Sequence, residues 1–222
     1  MDIRTVFHKR LKKIQDDVLL MGSMTGKAIV RSMEALKNRD LELAKQVIED
    51  DLHINAKRYE IEERCIQLIA TQQPMASDLR TIVAVLSIVT ELERIADHAE
   101  GIANIALMIG SEPPVKPLID LPRMAEKVAD MLHRSLDAYI QRDADSARRI
   151  AAEDDEIDGL YSQVFNELLL FMAQDPKVCN RATRLIWVAH NLERSGDRVT
   201  NICERVVFLV TGKMEEIGAS KY

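Results

Sequence analysis

The stretch HNLERSGDRVTNICERV (residues 190–206) decides the fold, because an earlier copy of it, TELERIADHAEGIANIA, occupies residues 90–106. Both copies place apolar residues three and four positions apart, the spacing typical of one face of an α-helix. A second pair of segments, residues 38–70 and 141–173, also aligns without a gap. The chain therefore contains an internal repeat, which predicts two similar helical halves.

Proline, glycine and short polar corners mark the breaks between the predicted helices. Four prolines and a glycine fall in GSEPPVKPLIDLP (110–122), near the centre of the chain, and proline cannot continue a helix. The corners NRD and QRD place Asp40 and Asp143 where an aspartate caps the start of a helix. The predicted helices are 3–37, 40–72 and 76–109 in one half and 121–141, 143–174 and 178–211 in the other.

These helices predict the fold class and the domain organisation. A helix of about 33 residues is about 50 Å long and is not stable alone, so the three helices of each half must pack together. We expect an all-α fold of two tandem three-helix bundles related by internal duplication. The predicted domains are 1–110 and 121–222, and a proline-rich linker at 111–120 joins them.

Composition argues against several classes of function. The net charge is -6, so no basic surface for nucleic acid is expected. No apolar run approaches the roughly 18 residues of a membrane span, and the charged start MDIRTVFHKRLKK has no signal-peptide core. The cysteines are scattered and form no CxxC motif, as in a reduced protein. We expect a cytoplasmic protein that inserts into no membrane.

Acidic side chains interrupt the apolar face of the third helix in each half. The first copy carries Glu93 and Asp97, and the second carries Glu193 and Asp197. Residues four apart on a helix have Cβ atoms about 5–6 Å apart, so each pair points in one direction. In the second copy the same stripe also holds an imidazole, an amide and another carboxylate: His190, Asn201 and Glu204.

The middle helices carry a second acidic pair. Asp154 and Asp158 are four residues apart, and the aligned positions in the first half are Asp51 and Asn55. If the middle and last helices are antiparallel neighbours, one acidic group forms in each half. Two like charges 4 Å apart repel by about 4 kcal/mol at an effective dielectric near 20. Such groups therefore need exposure to water, Arg or Lys partners, or metal cations.

We interpret the two acidic groups as metal sites. Carboxylate oxygens suit hard or borderline cations such as Fe, Mn, Mg or Ca. The cofactors we expect are divalent or trivalent ions, Fe, Mn, Mg or Zn, singly or as multinuclear centres. Gly196 costs a helix about 1 kcal/mol relative to Ala and is expected where a bulky cluster comes close. The predicted metal ligands are Asp51, Glu93, Asp97, Asp154, Asp158, Glu193, Asp197, Asn201 and Glu204.

The repeated motifs resemble those of the PhoU family. The resemblance covers residues 5–212 and rests on ELERIADHAEGIANIA, NLERSGDRVTNICERV, DDLHIN, EDDEID and QQPMASDLR. It implies two three-helix bundles related by a pseudo-two-fold axis, with metal bound by the repeated E/D-x-x-x-D motifs. Asn55 departs from the family pattern, in which Asp is common at that position. The second site is therefore expected to bind metal more strongly than the first.

The resemblance also implies regulation rather than catalysis. PhoU-like proteins restrain the phosphate-starvation response and link a phosphate ABC transporter to a sensor histidine kinase. We therefore expect a negative regulator of phosphate transport and signalling, whose partners are that kinase and the ATPase component of the transporter. A homodimer is expected, and no catalytic residues are predicted.

Two other interpretations of the acidic helices remain open. A carboxylate-bridged di-iron enzyme would also use a helical bundle, but it needs Glu-x-x-His pairs, and the sequence contains none. A metal-free helical adaptor would bind its partners through exposed helix faces. Metal analysis of protein purified without chelator distinguishes the adaptor from a metal-binding regulator.

Overall fold

Seven α-helices and one short 3₁₀ helix make up the computed structural model, which describes residues 3–217. No strand occurs in that range, and the all-α prediction with two three-helix bundles is confirmed. The outermost residues of the predicted domains, 1–2 and 218–222, lie outside the described residues. The helices are α1 (Ile3–Asn38), α2 (Leu41–Gln72), α3 (Ser77–Ile109), α4 (Asp120–Gln141), α5 (Ala144–Ala151), α6 (Asp154–Gln174) and α7 (Cys179–Thr211), with the 3₁₀ turn Pro176–Val178 before α7.

The corners between the first two helices of each half are built alike. Asp40 and Asp143 cap the helices that follow, each accepting the backbone N–H three residues further on at 2.9 Å. The preceding residues, Arg39 and Arg142, have φ values of 57° and 53°, which turn the chain sharply. The predicted N-caps are therefore confirmed, and the same kind of turn joins the first two helices of each half.

The middle helix of the second half is broken, so the prediction of one helix over 143–174 is wrong. The chain leaves α5 at Ala151 and begins α6 at Asp154, whereas α2 in the first half runs without interruption. The N–H of Glu153 bonds the carbonyl of Ile150 at 3.0 Å, which tightens this turn. The break places three successive acidic residues in the first turn of α6, where the helix dipole favours negative charge.

One continuous hydrophobic core joins the two halves. Helix α3 packs against α7 and α1 packs against α4, while α2 and the α5–α6 pair lie at opposite flanks. Helix α2 packs on α3, and α5 and α6 pack on α7. Because α3 and α7 carry the acidic stripes, each stripe lies near a helix–helix interface, which we call a seam. The division into domains 1–110 and 121–222 stays a prediction.

The segment between α3 and α4 contains no helix over residues 110–119, in agreement with its proline content. Gly110 ends α3 with a φ of 64°, a conformation that glycine adopts without strain. None of the helices between residues 3 and 217 combines the length and the apolar content that crossing a bilayer requires.

Candidate metal centres

The first acidic cluster lies in the seam between α2 and α3. Asp51, Asp97 and Glu100 each place a carboxylate oxygen within 4.8 Å of the others. The sequence prediction included Asp51 and Asp97 but missed Glu100. Glu100 lies three residues after Asp97, on the same face of the helix. The internal repeat does not mark Glu100, because its counterpart in the second half is Thr200.

Asp51 is the most buried of the predicted ligands, at 7% exposure. Burial, together with the charges of Glu100 and Asp97, raises the pKa of Asp51 to about 6. Its Oδ1 atom is buried without a hydrogen-bond partner, while its Oδ2 atom accepts from Asn55 Nδ2 at 2.6 Å. Asn55 therefore supports Asp51 with a hydrogen bond and brings no charge to the cluster.

Glu93 lies at the edge of the first cluster and already has a cationic partner. Arg58 Nη1 donates to Glu93 Oε1 at 2.8 Å, and Arg58 Nε donates to Glu62 Oε1 at 2.8 Å. The other oxygen of Glu93 is buried and has no hydrogen-bond partner. The negative charge of Glu93 contributes to raising the pKa of Asp97, after burial. Glu93 is therefore near the cluster but partly neutralised.

The second acidic cluster lies in the seam between α6 and α7. Burial raises the pKa of Asp154 to about 7, and the charges of Asp197, Asp158 and Glu193 add to the shift. The pKa of Glu193 is also raised to about 7, by burial first and then by Asp197. Asp154 Oδ1 and Glu193 Oε2 are buried without hydrogen-bond partners. The structure thus brings these four predicted ligands into electrostatic contact.

The two clusters differ in how closely their oxygens approach one another. Within residues 3–217, the first cluster is the one group in which three acidic, His or Cys ligand atoms lie within 4.8 Å. In the second cluster Arg194 Nη1 donates to Asp197 Oδ2 at 2.6 Å, which holds that carboxylate to an arginine. The geometry therefore favours the first cluster, whereas the sequence favoured the second. The relative metal affinity of the two stays a prediction.

Gly196 allows α6 to approach α7 at the second cluster. A Cβ atom on Gly196 would lie 2.4 Å from Asp154 Oδ1 and 2.9 Å from Ile157 Cδ1. Such distances are far below van der Waals contact, so any larger residue would force the side chains of Asp154 and Ile157 out of their present positions. The close approach expected from glycine at this position is confirmed.

Asn201 and Glu204 do not join the second cluster, in contrast to the sequence prediction. Asn201 Nδ2 donates to Glu91 Oε2 on α3 at 3.2 Å, because this part of α7 crosses the first half. Glu204 Oε1 accepts the backbone N–H of Ile217 at 2.9 Å, in the segment that follows α7. The acidic stripe on α7 therefore contacts three different parts of the chain: α6, α3 and the segment after α7.

His190 lies near the second cluster. Its Nδ1 atom is 3.6 Å from Glu193 Oε2, and its side chain is about half exposed. Burial and the charge of Arg194 lower the pKa of His190. The ring is also near Tyr161 and Trp187, with centroid separations of 6.3 Å and 6.2 Å.

Both clusters fit hard metal cations in donor type and in charge. Their candidate donors are carboxylate oxygens, the ligands preferred by Mg, Mn and Ca and accepted by Fe. Structural zinc sites rely on Cys and His, and the three-oxygen group of the first cluster contains neither. Buried acceptors without a donor, at Asp51 and Asp154, are the atoms that a cation would satisfy.

The chain is similar over most of its length to proteins of one family. The family model described as "PhoU domain" matches residues 18–106 and 121–206. The "Phosphate-specific transport system accessory protein PhoU homolog" of Clostridium acetobutylicum is 40% identical, over 96% of this chain and 98% of that protein. The accessory protein PhoU of Escherichia coli is 35% identical, over 93% of this chain and 86% of its own length.

Two crystal structures share the architecture. The phosphate transport system regulatory protein PhoU from Streptococcus pneumoniae superposes with a TM-score of 0.88 at 30% identity, covering 94% of this chain and 99% of that one. PhoU from Pseudomonas aeruginosa superposes with a TM-score of 0.89 at 35% identity, covering 93% of this chain and all of that one. The similarity to these structures therefore covers nearly the whole fold.

Proposed function

The chain belongs to the PhoU family, and from this premise we propose that it is a regulatory accessory protein of a phosphate-specific transport system. When phosphate is plentiful, it represses the phosphate-starvation response by coupling a phosphate ABC transporter to a sensor histidine kinase. The observation that carries this proposal is the full-length similarity to accessory proteins of phosphate transport, at 35–40% identity. The proposed partners are the transporter's ATPase component and the kinase.

Regulation, rather than catalysis, is the role we propose for the acidic clusters. Metal cations bound there would hold α2 to α3 and α6 to α7, and would thereby set the shape of the surface offered to partners. The candidate ligands are Asp51, Asp97 and Glu100 at the first cluster and Asp154, Asp158, Glu193 and Asp197 at the second. Support comes from buried carboxylate oxygens without donors and from raised carboxyl pKa values in both seams.

The cellular setting follows from the proposed partners. An accessory protein that binds the ATPase component of a transporter and a histidine kinase acts on the cytoplasmic side of the membrane. We propose that it acts there as a homodimer, which would present two copies of each partner surface.

Deletion of the gene tests the proposed regulation directly. We expect a strain without this protein to express alkaline phosphatase constitutively in high phosphate, because repression needs the regulator. Return of the intact gene should restore repression to the level of the parent strain. Full repression in the deletion strain would contradict the regulatory function, whatever metal the protein binds.

A further inference from the structure

A cavity of about 480 Å³ opens between α6 and α7 beside the second cluster. Its walls include the aromatic rings of Tyr161, Phe165 and His190, and Glu193 forms its acidic side. The ring centroid of Tyr161 lies 6.2 Å from that of Phe165 and 6.3 Å from that of His190. Aromatic faces next to a carboxylate form an environment that attracts organic cations.

In the first half the counterpart of Glu193 is Glu93, and an arginine of the same chain pairs with it. In the gap-free alignment of the middle helices, Arg58 takes the position of Tyr161. Glu62 likewise takes the position of Phe165. The guanidinium of Arg58 bonds both Glu62 and Glu93 at 2.8 Å. The repeat has therefore replaced an internal ion-pair network in one half by an aromatic-walled cavity in the other.

Glu193, the counterpart of Glu93, has no such guanidinium among the described residues. Its ion partner within 4 Å is the half-exposed imidazole of His190, whose Nδ1 atom lies 3.6 Å from Glu193 Oε2. Its Oε2 atom is buried without a hydrogen-bond donor. Arg194 also lines the cavity, but its Nη1 atom donates to Asp197 at 2.6 Å. The second half thus keeps the carboxylate of the first and has no counterpart of Arg58, because Tyr161 stands at that position.

We propose that this cavity receives an arginine side chain from a partner protein, with the guanidinium on Glu193 and its stem against the rings of Tyr161 and Phe165. A guanidinium is planar, makes charge-assisted hydrogen bonds to carboxylate oxygens and stacks on aromatic faces. The compact, strongly hydrated ammonium of lysine does not stack in this way, so the cavity selects arginine. The partner's arginine plays the part that Arg58 plays in the first half.

Exposed apolar side chains around the cavity indicate what flanks that arginine. Trp187 is 58% exposed and its ring lies 6.2 Å from that of His190. Leu169, four residues after Phe165 and so on the same face of α6, is 44% exposed. Burial of such residues favours association, at roughly 25 cal/mol for each Å² of apolar area removed from water. The partner segment is therefore an arginine with apolar neighbours.

The same carboxylate can serve a cation and an arginine together. In the first half Glu93 gives Oε1 to Arg58 while its Oε2 stays buried and without a donor. In the proposed complex one oxygen of Glu193 would likewise accept from the guanidinium, and the other would stay available to the metal seam. The inference rests on the proposed regulatory function, since a regulator needs a protein partner, but the binding chemistry itself requires neither phosphate nor metal.

Fluorescence of Trp187, the single tryptophan of the chain, tests the proposal on the full-length protein freed of metal. The probe is N-acetyl-arginine amide, titrated at constant ionic strength. We expect a saturable change with half-saturation on the order of millimolar, as befits a ligand of this size. N-acetyl-citrulline amide has nearly the same shape without the charge, and N-acetyl-lysine amide has the charge without the planar fork. Both should bind about tenfold more weakly or worse.

Two variants and a matched control make the titration specific to the cavity. Glu193→Gln should abolish the saturable change, and Tyr161→Arg should abolish it by supplying the guanidinium within the chain. Glu93→Gln, the same substitution in the first half, should leave it intact. Equal responses to the arginine and citrulline probes, a response that does not saturate, or arginine binding that survives Glu193→Gln would overturn the proposal. The regulatory function would then still stand or fall by the deletion strain.

Discussion

At the scale of single residues, the approach of two helices depends on one missing side chain. Gly196 occupies the interior of α7, where glycine costs roughly 1 kcal/mol relative to alanine. The space of its absent Cβ is taken by Asp154 and Ile157 from α6. Glycine is therefore the less favourable residue for the helix at this position, but it leaves room for the carboxylate of Asp154 against α7.

Substitution of Gly196 by alanine should destabilise the protein in spite of alanine's better helix propensity. The new Cβ would meet Asp154 Oδ1 at 2.4 Å, and overpacking of this kind costs about 1–3 kcal/mol. Gly159→Ala is the matched control, because a Cβ added to Gly159 on α6 would have no atom within 4 Å. That change should raise stability by about 0.5–1 kcal/mol. Urea denaturation measures both, and equal effects would contradict the close packing.

Acidic residues that recur in both halves could be located from the sequence, whereas positions at which the halves differ could not. Asp51 and Asp154, and likewise Asp97 and Asp197, occupy aligned helical positions, and Glu193 aligns with Glu93. Asp158 aligns with Asn55 and is marked only by its four-residue spacing from Asp154. Glu100 was missed because its counterpart is Thr200. Asn201 continues the periodic stripe of α7, but it pairs with Glu91 because another helix lies opposite that turn. Periodicity predicts the face of the helix on which a residue lies. Which element packs against that face is determined by the tertiary structure.

At the scale of secondary-structure elements, the main surprise is the break between α5 and α6. The residues around it have ordinary helix propensity and no proline or glycine, so sequence rules predict a continuous helix. Glu153, within the break, is held by Arg134 at 2.6 Å and by Lys127 at 2.7 Å, both on α4. These tertiary ion pairs and the acidic start of α6 are consistent with the interruption, and neither has a local sequence signature.

The seam between α6 and α7 should make stability depend on pH when no metal is bound. The folded-state pKa of Asp154, about 7, lies above its ordinary value of 3.8. Between pH 4 and pH 7 the folded state therefore binds more protons than the unfolded state, and the free energy of unfolding falls as pH rises. The same sign holds for Glu193, whose pKa is also raised to about 7.

Comparison with a single variant isolates this effect from other titrations. We expect Asp154→Asn to gain stability relative to the parent protein between pH 5 and pH 8, in the presence of chelator. Denaturation midpoints at a series of pH values measure the difference. A difference that stays constant with pH, or shrinks as pH rises, would show that Asp154 is not held in a repulsive, buried setting.

At the scale of the whole molecule, the two halves share a fold and differ in their electrostatics. Helix ends could be predicted where a long periodic segment stops at proline, glycine or a polar corner. For example, the sequence predicts α7 over 178–211, and the structure has it at Cys179–Thr211. The packing of α3 on α7 was not predicted, because both helices have broad apolar faces that accept several neighbours. Aligned positions of the two middle helices carry Arg58 in one half and Tyr161 in the other, and this difference underlies the proposed arginine site.

The central claim is that each seam holds a cation between carboxylates of adjoining helices. Equilibrium dialysis of chelator-treated protein against Mn²⁺, followed by elemental analysis, tests it most directly. We expect at least one ion at each cluster, with loss of the first in Asp51→Asn/Asp97→Asn and of the second in Asp154→Asn/Asp197→Asn. If the parent protein and the variant with all four substitutions retain the same amount of Mn²⁺, the acidic seams are not metal centres.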